Sequence, residues 1–293
     1  MPSLLVKVKA KMALHAHDKV RGLLEGEYGS VFKGRSMDFD DLREYVPGDD
    51  VKDIDWKATA RSGSTRIRRY VAVRKHNILL VVDTGRNMAA TSEHGDNKRD
   101  VSVMAAGVIS YIALKHGDLV GLVAGTSRST KYFPFKGSSA HVEQMLQYIE
   151  TNTTLDGEPG DIATQLSYIV RSLRRKMMLV VLSDDSELTP EHQQLLRRLR
   201  AQHEVAWLTI GDSSGLGVDN ESYDIDGVAL LPFYIRRQPK LQQAFTDAQQ
   251  VMVEANKSML ERLGVVSQRI GGDRDVVTGL FKLLERQKHV GRR

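Results

Sequence analysis

Three short apolar runs constrain this chain more than anything else in it: Ile78–Asp83, Met177–Leu182 and Val205–Ile210. A strand with one wet face alternates apolar and polar side chains, whereas an unbroken apolar run belongs to a strand covered on both faces. The segments between and after these runs repeat at helical spacing. Lys98–His116 carries Val101, Met104, Ala105, Val108 and Ile112 on one stripe, and Ser138–Glu150 opens on serines suited to capping it. Asp161–Arg174 turns Ile162, Leu166, Ile169, Val170 and Leu173 inward, and Pro190 occupies the first turn of a helix running to about Ala201. Asp118–Ala124 and Lys131–Phe135 read as strands joined in a hairpin through residues 125–128. Asp226–Pro232 reads as an edge strand, Gly264–Ile270 as a last strand, and Arg274–Gln287 as a closing helix. The long helix Lys240–Leu263 places Leu241, Phe245, Ala248, Met252, Ala255 and Met259 on a face assigned to the core. The fold class is therefore α/β, with a central, mostly parallel sheet between helices.

Ahead of this body stands different chemistry. Residues 1 to about 27 read as one helix with Leu4, Leu5, Val8 and Met12 on a stripe; His15 and His17, two apart, cannot share a metal on it. The stretch from Gly34 to Gly63 then mixes Asp38, Asp40, Asp41, Asp49, Asp50, Asp53, Asp55 and Glu44 with Arg35, Arg43, Lys52, Lys57 and Arg61. Tyr45, Pro47, Gly48 and Trp56 sit among these charges, and the pattern predicts a structured polar lattice of carboxylates held by Arg forks and backbone N–H groups. Ser64–His76 reads as an edge strand whose Arg66, Arg68 and Lys75 pair with the upstream acids. The expected division is an N-terminal helix–loop–strand appendage over 1–76 and an α/β domain over 77–293.

Gly34–Asp40, Leu42-Arg43-Glu44-Tyr45, Pro47-Gly48-Asp49-Asp50, Ile54-Asp55-Trp56-Lys57-Ala58 and Ala60-Arg61 together resemble the signature of the "domain of unknown function 58" family. The resemblance implies a von Willebrand factor A-like (vWA-like) domain following the signature, and as partner a MoxR-type AAA+ ATPase. It marks Arg35, Asp38, Asp40, Arg43, Tyr45, Pro47, Gly48, Asp49, Asp50, Asp55, Trp56 and Arg61 as the partner surface. In vWA domains a divalent cation sits on an Asp-x-Ser-x-Ser loop, a Thr and a further Asp. Here Asp83 matches the first position and Asp184 the last; Gly85 and Asn87 stand at the two serines, and Gly160 at the threonine with Asp161 beside it. Two of the five ligands remain, with Asn87 and Asp161 as substitutes, so the implied site is degenerate; Mg2+ is the ion it would admit, and no cofactor is required. The competing assignment makes the strand-end aspartates caps of turns and helices.

The chain has 293 residues, a net charge of +5 and no cysteine, which removes disulfides, thiolate metal sites and cysteine nucleophiles. Lys and Arg are spread along the chain; Arg171, Arg174, Arg175, Lys176, Arg197, Arg198 and Arg200 fall where helices end, a placement the helix dipole accounts for without nucleic acid. No apolar run approaches the roughly 18 residues that span a bilayer, and the basic, interrupted N-terminus is unlike a secretory signal, so a cytoplasmic location is expected. Residues 211–223 read as a plain loop rather than a phosphate cradle. The expected function is that of a non-enzymatic interaction protein acting on an unidentified target with its ATPase. The alternatives are a metal-dependent hydrolase using the aspartates of 38–55, or a weak nucleic-acid binder.

Overall fold

In the computed structural model, which describes residues 3–15, 26, 28, 42–46, 51, 54–68, 75–213, 223–224, 229–230 and 238–290, the three apolar runs lie side by side in one sheet. In chain order the sheet is built from β3 (Asn77–Asp83), β4 (Leu119–Gly125), β5 (Thr130–Lys136), β6 (Met178–Asp184), β7 (Glu204–Ile210) and β10 (Val266–Ile270). Their spatial order is β10-β7-β6-β3-β4-β5, parallel throughout except for β5, which returns antiparallel along β4 as the hairpin predicts. That is the 3-2-1-4-5-6 order of a doubly wound sheet, and its direction reverses between β3 and β6. All seven residues of β3 and all seven of β6 are buried. Pro134 is accommodated because β5 is an edge, where a missing N–H costs no ladder bond.

Two helical layers cover the sheet, and the pleat decides which side chain meets which. Ile78, Leu80 and Val82 point to a core shared with α1 (Leu4–His15), α3 (Lys98–Lys115), α4 (Ser139–Asn152) and α8 (Val276–Val290). Leu79 and Val81 point the other way, with Leu179, Val181 and Trp207, to α5 (Ile162–Ser172), α6 (Pro190–Gln202) and the end of α7 (Pro239–Arg262). Ser138, Asp161 and Thr189 are the N-caps of α4, α5 and α6, and Pro190 is in the first turn of α6 as expected. α3 is buried nearly all round because α1, α4 and α8 enclose it.

Within the described part of the N-terminal segment, α1 is stapled to this body. Leu4, Leu5, Val8 and Met12 are buried, and Glu143 of α4 caps its first turn, accepting from the Leu4 N–H at 2.8 Å, the Leu5 N–H at 3.0 Å and the Ser3 hydroxyl at 2.6 Å. Residues 16–25 of the expected longer helix, His17 among them, lie outside the described residues. Tyr28 donates to Asp118 Oδ2 at 2.7 Å and stacks on His116, while the His76 N–H donates to the other Asp118 oxygen at 2.8 Å.

Of the signature, β1 (Leu42–Glu44) pairs antiparallel with β2 (Arg66–Arg68), and α2 (Trp56–Ser62) lies between them. Asp55 caps α2, accepting from the Lys57 and Ala58 N–H groups at 3.0 Å, and Gly63 ends it at φ 71°, a conformation that suits glycine. The expected edge strand over 64–76 is described as strand over Arg66–Arg68; residues 69–74 are outside the described set, as are Arg35, Asp38, Asp40, Pro47, Gly48, Asp49 and Asp50 and the side chain of Arg43.

Two expectations need correction. Trp56, expected among the charges of a polar lattice, is 66% exposed, on a helix that buries none of its residues. The face assigned to the core on α7 is only partly so. Ala248 and Ala255 are exposed, Leu241, Phe245, Met252 and Met259 are half-buried, and Leu260 is the residue of α7 that is fully covered. The helix meets the sheet with its last turns, where Met259, Leu260 and Leu263 join the second core. The edge strand expected over 226–232 is described at Ala229–Leu230 (β9), paired with Tyr223–Asp224 (β8). Among the described residues no helix is long and apolar enough to cross a membrane.

α1 packs tightly on α3 at Gly107, where a Cβ would stand 2.6 Å from Val8 Cγ2. Gly107→Ala should therefore lower unfolding free energy by about 1–3 kcal/mol through overpacking. Combined with Val8→Ala, its cost should shrink markedly in a denaturant double-mutant cycle; strict additivity would contradict the contact.

Candidate functional site

Ligands of doubly wound sheets bind beyond the strand C-termini where the order reverses, here between β3 and β6. The register pairs Val82 with Leu182, so Asp83 and Asp184 arrive at this switch point from neighbouring strands. Both are buried, at 3% and 5% exposure. Each first serves its own turn: Asp83 Oδ1 accepts the Gly85 N–H at 2.7 Å, and Asp184 Oδ1 accepts the Ser186 N–H at 3.2 Å and hydroxyl at 2.6 Å. The oxygens left over face each other across Asn87. Its Nδ2 donates to Asp83 Oδ2 at 3.0 Å and to Asp184 Oδ2 at 2.8 Å, which fixes the amide with its nitrogen between the two acids.

The sequence reading did not foresee the next partner. Lys98, the first residue of α3, is 1% exposed and reaches Asp184 Oδ2 at 3.3 Å and also Asp212 Oδ1. Beyond it Arg269, at the end of β10, grips Asp185 with Nε at 3.0 and 3.1 Å and Nη2 at 2.7 Å, and its Nη1 meets Glu93. The Arg269 guanidinium lies against Gly211, where a Cβ would collide with it. Backbone bonds tie the same loops: Glu93 N–H to Gly211 O at 2.9 Å, His94 N–H to Gly271 O at 2.9 Å, Ser213 N–H to Thr91 O at 3.2 Å. Residues from the ends of β3, β6, β7 and β10 thus form one charged belt over the sheet. A cleft lined by Asp184, Asp185, Trp207, Asn256 and Arg269 opens beside it, under the last turns of α7.

The charges respond to burial and to one another. Burial pushes the Asp83 carboxyl up to about 7, helped by repulsion from Asp184 and only partly opposed by Asn87, the Gly85 N–H and Lys98. Burial acts on Asp184 in the same sense, but Lys98, Ser186 and Asn87 outweigh it and hold that carboxyl below its ordinary range. Burial also raises Asp212 to about 6 despite Lys98. Desolvation disfavours the Lys98 ammonium, yet Asp184 and Asp212 keep it above its usual value. Hydrogen bonds to Asp185 hold Arg269 firmly charged.

This arrangement does not fit a divalent cation as the vWA pattern would hold one. Gly85 and Gly160 bring no hydroxyl, and they are packed so closely that a methyl on Gly160 would run into Asn87 Oδ1 and Asp83 Oδ2. Asn87 turns donors, not its oxygen, to the two acids; its buried Oδ1 has no hydrogen-bond partner among the described residues. Asp161, expected as a substitute ligand, spends Oδ1 on the Ala163 N–H at 3.1 Å and Oδ2 on the Thr164 hydroxyl at 2.9 Å, at the head of its own helix. Among the described residues no three His, Cys, Asp or Glu side chains are placed to hold a metal together. Of the residues named from sequence, Asp83, Asn87 and Asp184 are brought together; Asp161 follows Gly160 at the same rim with its carboxylate committed to its own helix, and Tyr45, Asp55, Trp56 and Arg61 lie on the signature segment.

An acid whose folded pKa lies above its unfolded one stabilises most below the unfolded value, and that contribution is lost as pH rises through the folded value. For Asp83 the window runs from 3.8 to about 7. The stability of Asp83→Asn relative to wild type should therefore rise with pH across that window and level off above it, as followed by chemical denaturation. A pH-independent difference would contradict the placement of Asp83.

Comparison with known proteins identifies the framework. The family model described as "Protein of unknown function DUF58" matches residues 41–218. "Uncharacterized protein Rv1480" of Mycobacterium tuberculosis is 30% identical over 224 residues, spanning 75% of this chain and 68% of that protein. "Uncharacterized protein YeaD" of Bacillus subtilis is 29% identical over 108 residues, 37% of this chain and 25% of that one. Among solved structures, an aerotolerance-related membrane protein from Bacteroides fragilis is similar with a TM-score of 0.45 at 12% identity, over 72% of this chain and 99% of that one. A von Willebrand factor type A protein from Catenulispora acidiphila scores 0.41 at 11% identity, over 74% and 44%. The vWA-like fold rests on the strand order rather than on those scores, and the chain belongs to the DUF58 family.

Proposed function

We propose that this protein is a non-enzymatic interaction module that presents its signature segment to another macromolecule. The observation behind this reading is the placement of Trp56. A tryptophan left 66% exposed forgoes most of the stabilisation its burial would bring, unless a partner supplies the cover. It projects from a helix capped at both ends by Asp55 and Gly63, so the ring is offered on a defined support. Val46 and Val51 of the same segment are also exposed, at 55% and 58%, and so are the charged Lys57 and Arg61 of α2. Exposed aromatic and aliphatic side chains on a segment that also carries charge are the residue types of an interaction hot spot and its rim. The DUF58 family and the vWA-like fold support an interaction role in general terms. The more specific partner is a MoxR-type AAA+ ATPase, which the family resemblance implies, with this chain tethering the target on which the ATPase acts.

The hydrolase alternative has less support. Asp55, the described member of its aspartate cluster, has its carboxylate committed to capping α2. At the strand ends Asp184, Asp185 and Asp212 are engaged by Lys98 and Arg269 rather than poised around an open centre.

Co-purification of the full chain with a MoxR-type ATPase, with and without ATP, tests the reading. Association is expected in at least one nucleotide state. Trp56→Ala should weaken it by about 30-fold or more, the size of a hot-spot loss, while leaving the thermal melt unchanged. Association that ignores Trp56, or none in either state, would contradict the proposal.

A further inference from the structure

Lys98 occupies a position that general rules disfavour twice. Its ammonium is withdrawn from water, with its side chain 2% exposed. It also stands at the first residue of α3, where the helix dipole already places positive charge and favours anions. Nothing in the local sequence calls for a lysine there; Asn97 caps the helix through the Arg99 N–H and Asp100 supplies the acid of the first turn. What the ammonium does find is two carboxylates from separate strand ends, Asp184 closing β6 and Asp212 just after β7. The Asp184 oxygen it meets is the one that Asn87 links onward to Asp83. Each of these acids belongs to a different strand end, so the ammonium and the Asn87 amide together join the C-terminal ends of β3, β6 and β7.

We propose that Lys98 is the built-in cation of this rim, a tethered ammonium doing the electrostatic work of a bound divalent ion so that the strand-end loops are held closed without metal. A tethered cation is always present and cannot be chelated, exchanged or bridged to an acidic side chain of a partner. Recognition by this protein is therefore independent of divalent ions at the switch point, whichever partner it takes. The carboxylates of Asp184 and Asp212 are close enough to share one cation, since one ammonium reaches both. Two carboxylates and water suffice for a hard divalent ion once the ammonium is gone.

The experiment is a titration with Mn2+, read by electron paramagnetic resonance and by thermal unfolding, on wild type, Lys98→Ala and Lys98→Ala/Asp184→Asn. Wild type should bind no Mn2+ at millimolar concentration and melt identically with EDTA or Mn2+. Lys98→Ala should melt lower in EDTA, gain saturable Mn2+ binding at least about ten-fold tighter than any in wild type, and recover part of its melting temperature with the ion. Adding Asp184→Asn should abolish that gain. If Lys98→Ala does not fold in EDTA, refolding with Mn2+ present should recover it. Stoichiometric Mn2+ binding by wild type would overturn the proposal. So would a Lys98→Ala protein that gains no Mn2+ binding, or one that Mn2+ fails to refold.

Discussion

The structure depends on how two buried acids at neighbouring strand ends are accommodated, Asp184 held ionised by Lys98 and Asp83 pushed up to about 7 by burial and by Asp184. A sheet covered on both faces delivers its strand ends into a region of low dielectric, and β3 and β6 both end in aspartate there. Taking one such charge out of water costs several kcal/mol even after relaxation, and leaving it unpaired costs about 3–5 kcal/mol in stability. Three devices meet that demand at once: Asx-type bonds to the following turns, an amide whose two N–H groups separate the acids, and an ammonium brought in from α3. Much of the loop structure above the sheet follows. The chain from 91 to 97 crosses the strand ends to start α3 where Lys98 can reach Asp212, and its backbone pairs with residues 211 and 271 on the way.

The sheet and its layers were legible because their signal is local. Seven consecutive buried residues in β3 and in β6 follow from unbroken apolar runs, and the hairpin of β4 and β5 from two runs either side of residues 125–128. Asp83 and Asp184 were legible for the same reason, since a strand end is a sequence position. Lys98, Asp212 and Arg269 were not. They come from a helix start, a loop and the last strand, and what unites them is the parallel stacking of β3, β6, β7 and β10, which no spacing in the chain encodes. One weak trace existed: a lysine at the start of an apolar helix opposes the dipole, and that mismatch marks a charge with business elsewhere.

Two misreadings have a common origin. The stripe on α7 and the tryptophan of the signature are both apolar side chains in patterned segments, and pattern alone argues for burial. Burial also needs a surface opposite. α7 reaches the sheet with its final turns, and α2, none of whose residues is buried, is tied down by its two caps and by the Arg66 N–H donating to Thr59 Oγ1 at 2.9 Å. The molecule therefore divides its chemistry. Charge is concentrated and internally satisfied over the sheet, whereas three of the exposed large apolar side chains, Val46, Val51 and Trp56, belong to the signature segment.

The account stands on the identity of the cation between Asp184 and Asp212. A crystal structure of the wild-type protein grown in manganese, with data collected at the manganese absorption edge, tests it most directly. The expected map shows the Lys98 ammonium between the two carboxylates, the Asn87 nitrogen between Asp83 and Asp184, and no anomalous peak at the switch point. An anomalous peak on Asp83 and Asp184 with Lys98 turned away would contradict it.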